Sequence, residues 1–230
     1  MFSEGRELSA IEAAAFLHVS QGHATQLMRS GTLAARQLPS GHWLTSEAAL
    51  GACDAIMRRG HGRTLAPESA WGVLWELSGL HPHWLSSSTL SRLRAQLVEW
   101  RPEDIVRAVS SRTQETRYRS AAPGASSGLT LTGRRVASVL KVGLRSWTDV
   151  VAGYVPQGVT PEQHARRTGM TLDYEGMHTL YEWTLPVPYN APRMPVAVVA
   201  ADLARSHVTT ERAKGVHALS RLRYEWARSR

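Results

Sequence analysis

The chain has 230 residues, 43% of them hydrophobic, and a formal net charge of +8. That length buries a real core, and the hydrophobic fraction excludes a disordered chain. No apolar run is long enough to cross a bilayer; the longest, Met194 to Ala201, ends at Asp202. The first residues lack a basic-then-apolar leader, so cytoplasmic residence is expected, with no membrane partner. Cys53 is the only cysteine, which rules out an intramolecular disulfide and a cysteine zinc cluster.

In chain order, Ser9 and Glu12 form a capping-box pattern opening a first helix. Its inward side chains are expected to be Ile11, Ala14, Ala15 and Leu17. His18 and Val19 make a turn, with Val19 as a buried plug. Ser20 caps a second helix over Gln21 to Ser30, whose Ala24, Leu27 and Met28 recur at helical spacing. Gly31 ends it in the left-handed conformation. Residues 33–38 and 42–45 alternate as strands around Pro39-Ser40-Gly41, a hairpin with Trp43 packed beneath it. A third helix, capped by Thr45 or Ser46, runs to about Arg58.

A helix, tight turn and second helix followed by a hairpin is the pattern of a winged helix-turn-helix, which presents its second helix to a DNA groove. Candidate DNA contacts are Ser20, Gln21, His23, Thr25, Gln26 and Arg29, with Arg36 and His42 on the hairpin. Gln pairs bidentately with adenine and Arg with guanine, while Thr suits a phosphate or a thymine methyl. Gly22 removes a side chain from the start of the reading helix and lets backbone approach DNA.

The stretches LSAIEAAAFLHVS, LMRSGTL and ARQLPSGHWLT, followed by SEAAL, resemble the excisionase-type helix-turn-helix of the MerR superfamily. The resemblance covers about a quarter of the chain and implies binding of double-stranded DNA, often as dimers or arrays. Residues 1–58 are therefore expected to form a winged helix-turn-helix domain, with 59–66 as a linker and 67–230 as an α+β domain. The fold class expected is mainly α with a smaller α+β portion.

In the second region, Pro67 opens a helix with Ala70, Trp71, Val73, Leu74 and Leu77 on its apolar face. Helices from Ser86–Ser88 to Trp100 and from Pro102 to about Ser110 complete a helical part over 67–110. Residues 116–230 are expected to be mixed. Extended segments lie at Tyr118-Arg119, 129–132, 150–155 and 177–184. Helices lie at 133–140, after Pro161, at 196–206 and at 210–227. The last carries a stripe of Ala213, Val216, Leu219, Leu222 and Trp226. Three to five strands are expected.

Charge is distributed unevenly. In residues 1–60, Arg6, Arg29, Arg36, Arg58 and Arg59 balance Glu4, Glu7, Glu12, Glu47 and Asp54, so the excess lies in the second region. Arg112, Arg117, Arg119, Arg134 and Arg135, with Tyr118 beside them, suggest one basic surface for phosphate or an acidic partner. Affinity for DNA comes largely from neutralised phosphates. The first region is therefore expected to supply the address and the second much of the grip.

No catalytic signature is present, and neither a cofactor nor a metal site is expected. His81 and His83 lack a completing ligand pattern. Glu103 and Asp104 suit a helix N-terminus, Asp202 a structural role, and the tryptophans the core. The segments LAPESAWGVLWELSG, HWLSSSTLSRLRAQL, TRYRS, LTLTG, VAGYV and VAVVAADLARS resemble the C-terminal region of actinobacterial AbiEi-type antitoxin regulators. That resemblance implies a cognate toxin as partner.

The leading expectation is a sequence-specific DNA-binding regulator, a repressor and homodimer, acting as the antitoxin of a toxin–antitoxin pair. The alternatives are an excisionase-like recombination factor and an RNA- or nucleotide-binding protein using its basic second domain.

Overall fold

A computed structural model describes residues 7–17, 19–47, 49–51, 53, 64–119, 121–173, 175–206 and 208–230. The fold is mixed α+β with helices predominating. The chain divides into two compact units, Met1–Gly60 and His61–Arg230. Residues 59–63 of the expected linker lie outside the described residues. Leu65 already belongs to the second unit, where its N–H donates to the Ala108 carbonyl (2.9 Å) and its carbonyl accepts from Ser111 Oγ (2.9 Å).

The first unit runs β1 (Glu7–Ser9), α1 (Ala10–Leu17), α2 (Gln21–Arg29), β2 (Ala35–Gln37) and β3 (Trp43–Ser46). Its sheet has the order β1-β3-β2 and is antiparallel throughout. The capping box at Ser9 is formed in both directions. Glu12 N–H donates to Ser9 Oγ (3.3 Å), and Ser9 N–H donates to the Glu12 carboxylate (2.8 Å).

The inward face of α1 differs from the expected one. Ala13, Ala14 and Leu17 are buried, whereas Ile11 is 64% exposed and Ala15 lies on the solvent side. At 100° per residue, the buried three share one arc, and Ile11 falls more than a quarter-turn from its centre. Val19 is half-buried, and His18 lies outside the described residues.

Ala24 and Met28 turn α2 inward toward α1. Gly31 (φ 72°) carries the chain out of the helix, and Gly41 (φ 84°) turns the hairpin. Leu33, Ala35, Leu50 and Cys53 close the small core, with Trp43 against it. Ser46 Oγ accepts the Ala49 N–H (3.2 Å) at the start of the third helical segment. Its expected extension to Arg58 lies outside the described residues.

The second unit begins with three helices: α3 (Pro67–Leu77), α4 (Ser87–Glu99) and α5 (Pro102–Ala108). A 3-10 turn at Ser110–Arg112 leads to β4 (Glu115–Arg119) and β5 (Thr130–Leu131). Next come a kinked 3-10 segment (Gly133–Leu140), β6 (Ala152–Tyr154), α6 (Pro161–Arg167), β7 (Thr171–Leu172) and β8 (His178–Tyr181). Two helices follow, α7 (Val196–Leu203) and α8 (Thr209–Arg228).

Local signals fix most of these starts. Ser86 Oγ accepts the Thr89 N–H (3.2 Å). Thr160 and Gln163 form a reciprocal capping box, and proline opens α3, α5 and α6.

The sheet order is β5-β6-β8-β4-β7, with β6 and β8 parallel and the other pairs antiparallel. Register places Glu115 and Arg117 opposite Tyr181 and Thr179, which lie beside Tyr154 and Ala152. These six residues share one face, the one that meets α3 and α7. Tyr118 and Leu180 lie on the other face, in a smaller cluster with Leu129, Val155, Ala165 and Met170.

The main core is helical. Residues 70–77 of α3 are all buried, so the helix is enclosed rather than amphipathic. The buried stripe of α8 is Glu211, Gly215, Ala218, Leu219, Leu222 and Trp226. Ala213 is exposed, against expectation, while Val216 is half-buried and packs against this core. Gly215 accounts for the rotation: a Cβ there would overlap the Ala204 backbone, so the glycine lets α8 lie directly on the end of α7.

Charged groups are enclosed with the apolar ones. Arg112 and Asp202 form an ion pair in which both side chains are 0% exposed. Thr132 Oγ1 (2.6 Å) and Tyr154 Oη (3.2 Å) also donate to Asp202, and the Arg112 guanidinium lies 5.6 Å from the Trp71 ring centre. Glu76, 5% exposed, receives two hydrogen bonds from Arg94 (2.9 and 3.0 Å), one from Trp226 Nε1 (3.3 Å) and one from Arg230. Burial acts to raise the Glu76 pKa, but these donors outweigh it and hold the carboxyl below its ordinary range.

Candidate nucleic-acid interface

Ala24 and Met28 commit one side of α2 to the core, so the helix turns Gly22, His23, Gln26 and Arg29 away from it, whereas Gln21 stands in line with Ala24 and Met28 and is exposed at the helix start. Gln21, His23, Gln26 and Arg29 are all exposed. Ser20 and Thr25 have helix duties first. Ser20 Oγ accepts the His23 N–H (3.2 Å), and Thr25 Oγ1 donates to the Gln21 carbonyl (2.9 Å). The outward surface is therefore one carboxamide, one imidazole and one guanidinium, with the Gln21 carboxamide beside them at the helix start. Gly22 sits among them, and nothing lies within 4 Å of where its Cβ would be.

On the hairpin, His42 is exposed next to Gly41. Arg36 is exposed but engaged: its Nε donates to Glu7 Oε1 at 2.7 Å, and its Nη2 binds the other carboxylate oxygen. The sheet order explains the pair, because β1 and β2 both flank β3. The hydrogen bond from Arg36 holds the Glu7 carboxyl below its usual range and raises the Arg36 pKa in turn. Sequence reading missed this partner because β1 is only three residues long, too short to show alternation. Of the arginines described in the first unit, Arg29 alone has no ion-pair partner among the described residues.

The expected basic surface of the second unit is not one surface. Arg112 is fully enclosed against Asp202 and cannot reach a phosphate; its partner lies ninety positions away in sequence. Tyr118 is buried on the opposite face of the sheet, and burial pushes its phenol up to about 12. Arg119 is exposed at the end of β4, and Arg135 is half-buried. Arg117 and Arg134 do come together, as linings of a cleft, but both are paired, with Glu115 (3.3 Å) and Glu211 (3.0 Å).

Other arginines of this unit serve the fold in the same way. Arg223 Nε donates to the Leu97 carbonyl (2.9 Å) and Arg221 Nη2 to the Leu140 carbonyl (2.7 Å), each closing a helix end. His81 and His83 stack edge to face at 5.2 Å, and no group of three or more metal-ligating side chains is found among the described residues. No helix among them is long and apolar enough to cross a membrane. No family model, no curated protein and no solved structure matches the chain.

Proposed function

We propose that the first unit is a winged helix-turn-helix that binds double-stranded DNA in a sequence-specific way, and that the protein is a transcriptional regulator acting as a repressor. The observation that carries this reading is the outward face of α2. Gln26 and Arg29 are exposed on that face and Gln21 at its start, held on a capped helix and free of competing partners among the described residues. A helix of that kind fits the major groove, where Gln reads adenine and Arg reads guanine. The β2–β3 hairpin follows it as the wing.

The test is selection of a binding site from random duplexes with the full chain, then titration of variants. Each well-placed bidentate contact contributes about 1–3 kcal/mol of discrimination. Gln26→Ala and Arg29→Ala together are expected to weaken specific binding at least tenfold while leaving the melting temperature unchanged. Unchanged affinity in the double variant would overturn the assignment of α2. Bending of the selected DNA without repression of a reporter would favour the recombination-factor reading instead.

A further inference from the structure

The outer side of α8 and the turn beside it form a basic surface separate from the arginines expected to make one. We infer that this surface grips the phosphate backbone of double-stranded DNA without reading its sequence. The inference concerns the second unit alone and does not depend on α2 reading bases.

Three observations carry it. The first is alignment. Lys214, His217, Arg221, Tyr224 and Arg228 recur along α8 at steps of three and four. At 100° per residue they fall within an arc of about 80°, turned away from the buried stripe of the helix. The row from Lys214 to Arg228 is about 21 Å long at the rise of an α-helix. That is the axial length of about six phosphates on one DNA strand. The turn after the 133–140 segment continues the row. Arg221 Nη2 donates to the Leu140 carbonyl (2.7 Å), and a Cβ at Gly143 would stand 4.0 Å from Lys214 Nζ. Ser146 Oγ accepts the Ser138 N–H (3.1 Å), which closes the base of the turn. Lys141 and Arg145 are exposed on it.

The second is charge. The side chains of Lys141, Arg145 and Lys214 make no hydrogen bond or ion pair among the described residues. With Arg221 and Arg228 they are five cations, against Asp149 and Glu225 as the carboxylates of the turn and the outer arc. Glu225 is already paired with Arg221 (3.4 Å), and Glu211 is buried against Arg134. Lys141 and Lys214 are also the chain's only lysines. Arginines of this unit fork onto carbonyls and carboxylates of the frame, whereas both lysines stand in solvent as hydrated point charges.

The third is the kind of partner the surface fits. Lysine is depleted at protein–protein interfaces. The apolar face of α8, which a membrane surface would take up, is enclosed in the core. Single strands stack their bases on open aromatic rings. The exposed aromatics here, Tyr224 and Trp147, each carry a guanidinium at the ring, Arg228 at 5.6 Å and Arg134 at 5.3 Å. A straight row of cations on a long helix suits the phosphates of a duplex instead.

The experiment is a titration, by fluorescence anisotropy, of a mixed-sequence DNA duplex with the full chain carrying Gln26→Ala and Arg29→Ala, over a range of salt. Those two changes remove the proposed reading of bases, so failure of that reading shows in site selection and failure of this one in the salt slope. Adding Lys141→Asn, Arg145→Gln and Lys214→Gln is expected to weaken binding at least tenfold at low salt. The slope of log affinity against log salt should fall by roughly 2–3, since each neutralised phosphate contributes about 0.9. Lys214→Gln alone is expected to lower it by about 1, and is the readout if the triple variant melts early. Arg119→Gln, Arg166→Gln and Arg167→Gln together remove the same charge from exposed positions elsewhere, where Glu162, Asp173 and Glu175 accompany them. That control is expected to keep the slope. An unchanged slope without Lys214, or an equal loss in the control, would overturn the inference. So would tighter binding to a single strand or to phosphatidylglycerol vesicles than to the duplex.

Discussion

The two units place their charges differently. In the first, the Glu7–Arg36 pair stands in water with both side chains nearly half exposed, 45% and 47%. In the second, Arg112 and Asp202 are fully enclosed, and Glu76 takes three partners at 4% side-chain exposure. A pair in water contributes little and is exchanged at little cost, whereas a pair in the interior cannot lose one member without stranding the other. Charge in the first unit is therefore available to a ligand, and much charge in the second is part of the frame. An enclosed pair removes a cation and an anion together, so the +8 stands, but the count of arginines in the sequence overstates how many can meet DNA phosphate.

The sharpest way to break this comparison is Arg112→Met, which leaves Asp202 buried and unpaired. A loss of roughly 3–5 kcal/mol is expected from the second unit's stability. Denaturant unfolding checks it, and adding Asp202→Leu is expected to recover part of the loss. If Arg112→Met alone were neutral, the ion pair would not be a frame element.

Acid is the next largest perturbation. Burial acts to raise the pKa of Glu115 and Glu76, but neighbouring arginines prevail, and both carboxyls titrate below their ordinary 4.5. A depressed folded-state pKa means that the native form binds fewer protons than the unfolded chain. Their stabilisation is present in full above that ordinary value and is lost as pH falls toward the native one. The second unit is expected to destabilise on acidification below about pH 4.5, and Glu76→Gln should flatten that dependence in a series of thermal melts.

Two smaller tests sharpen the first unit's side of the contrast. Gly22→Ala meets no neighbour and no unusual backbone angle, so the helix should gain stability, by less than the roughly 0.5–1 kcal/mol of an interior position because Gly22 lies in the first turn. The same methyl group is expected to weaken specific DNA binding, because it stands where the backbone would approach the duplex. A variant that gains both stability and affinity would contradict that close approach. The smallest effect is expected from Glu7→Gln. It should leave the melting temperature unchanged, release Arg36, and steepen the salt dependence of DNA binding.

Legibility in the sequence followed the distance over which each contact acts. The caps at Ser9, Ser20 and Ser86 and the prolines opening α3, α5 and α6 are decided within one helical turn, and the sequence displayed them. The outward face of α2 followed from its own periodicity. Strands of two or three residues, β1 and β7, carry too few positions to show alternation. Arginine was the main source of error, because its type reveals neither burial nor partner. The cleft was invisible for a related reason: its guanidiniums come from β4, the 133–140 segment and the end of α7, and only the fold brings them together.

The site around Glu76 also bears on the order in which the protein takes shape during synthesis. Its carboxylate sits on the first helix of the second unit, yet it needs groups 150 and 154 positions further along, Trp226 and Arg230. Until that stretch leaves the ribosome, Glu76 must stay hydrated, and α3 cannot settle into its final enclosure. The first unit depends on no such distant residue among its described contacts, and domains form in the order in which they emerge. A nascent chain stalled before residue 226 would thus carry a finished first unit ahead of an uncommitted second one. Protease digestion of stalled chains of increasing length would show protection appearing in two widely separated steps.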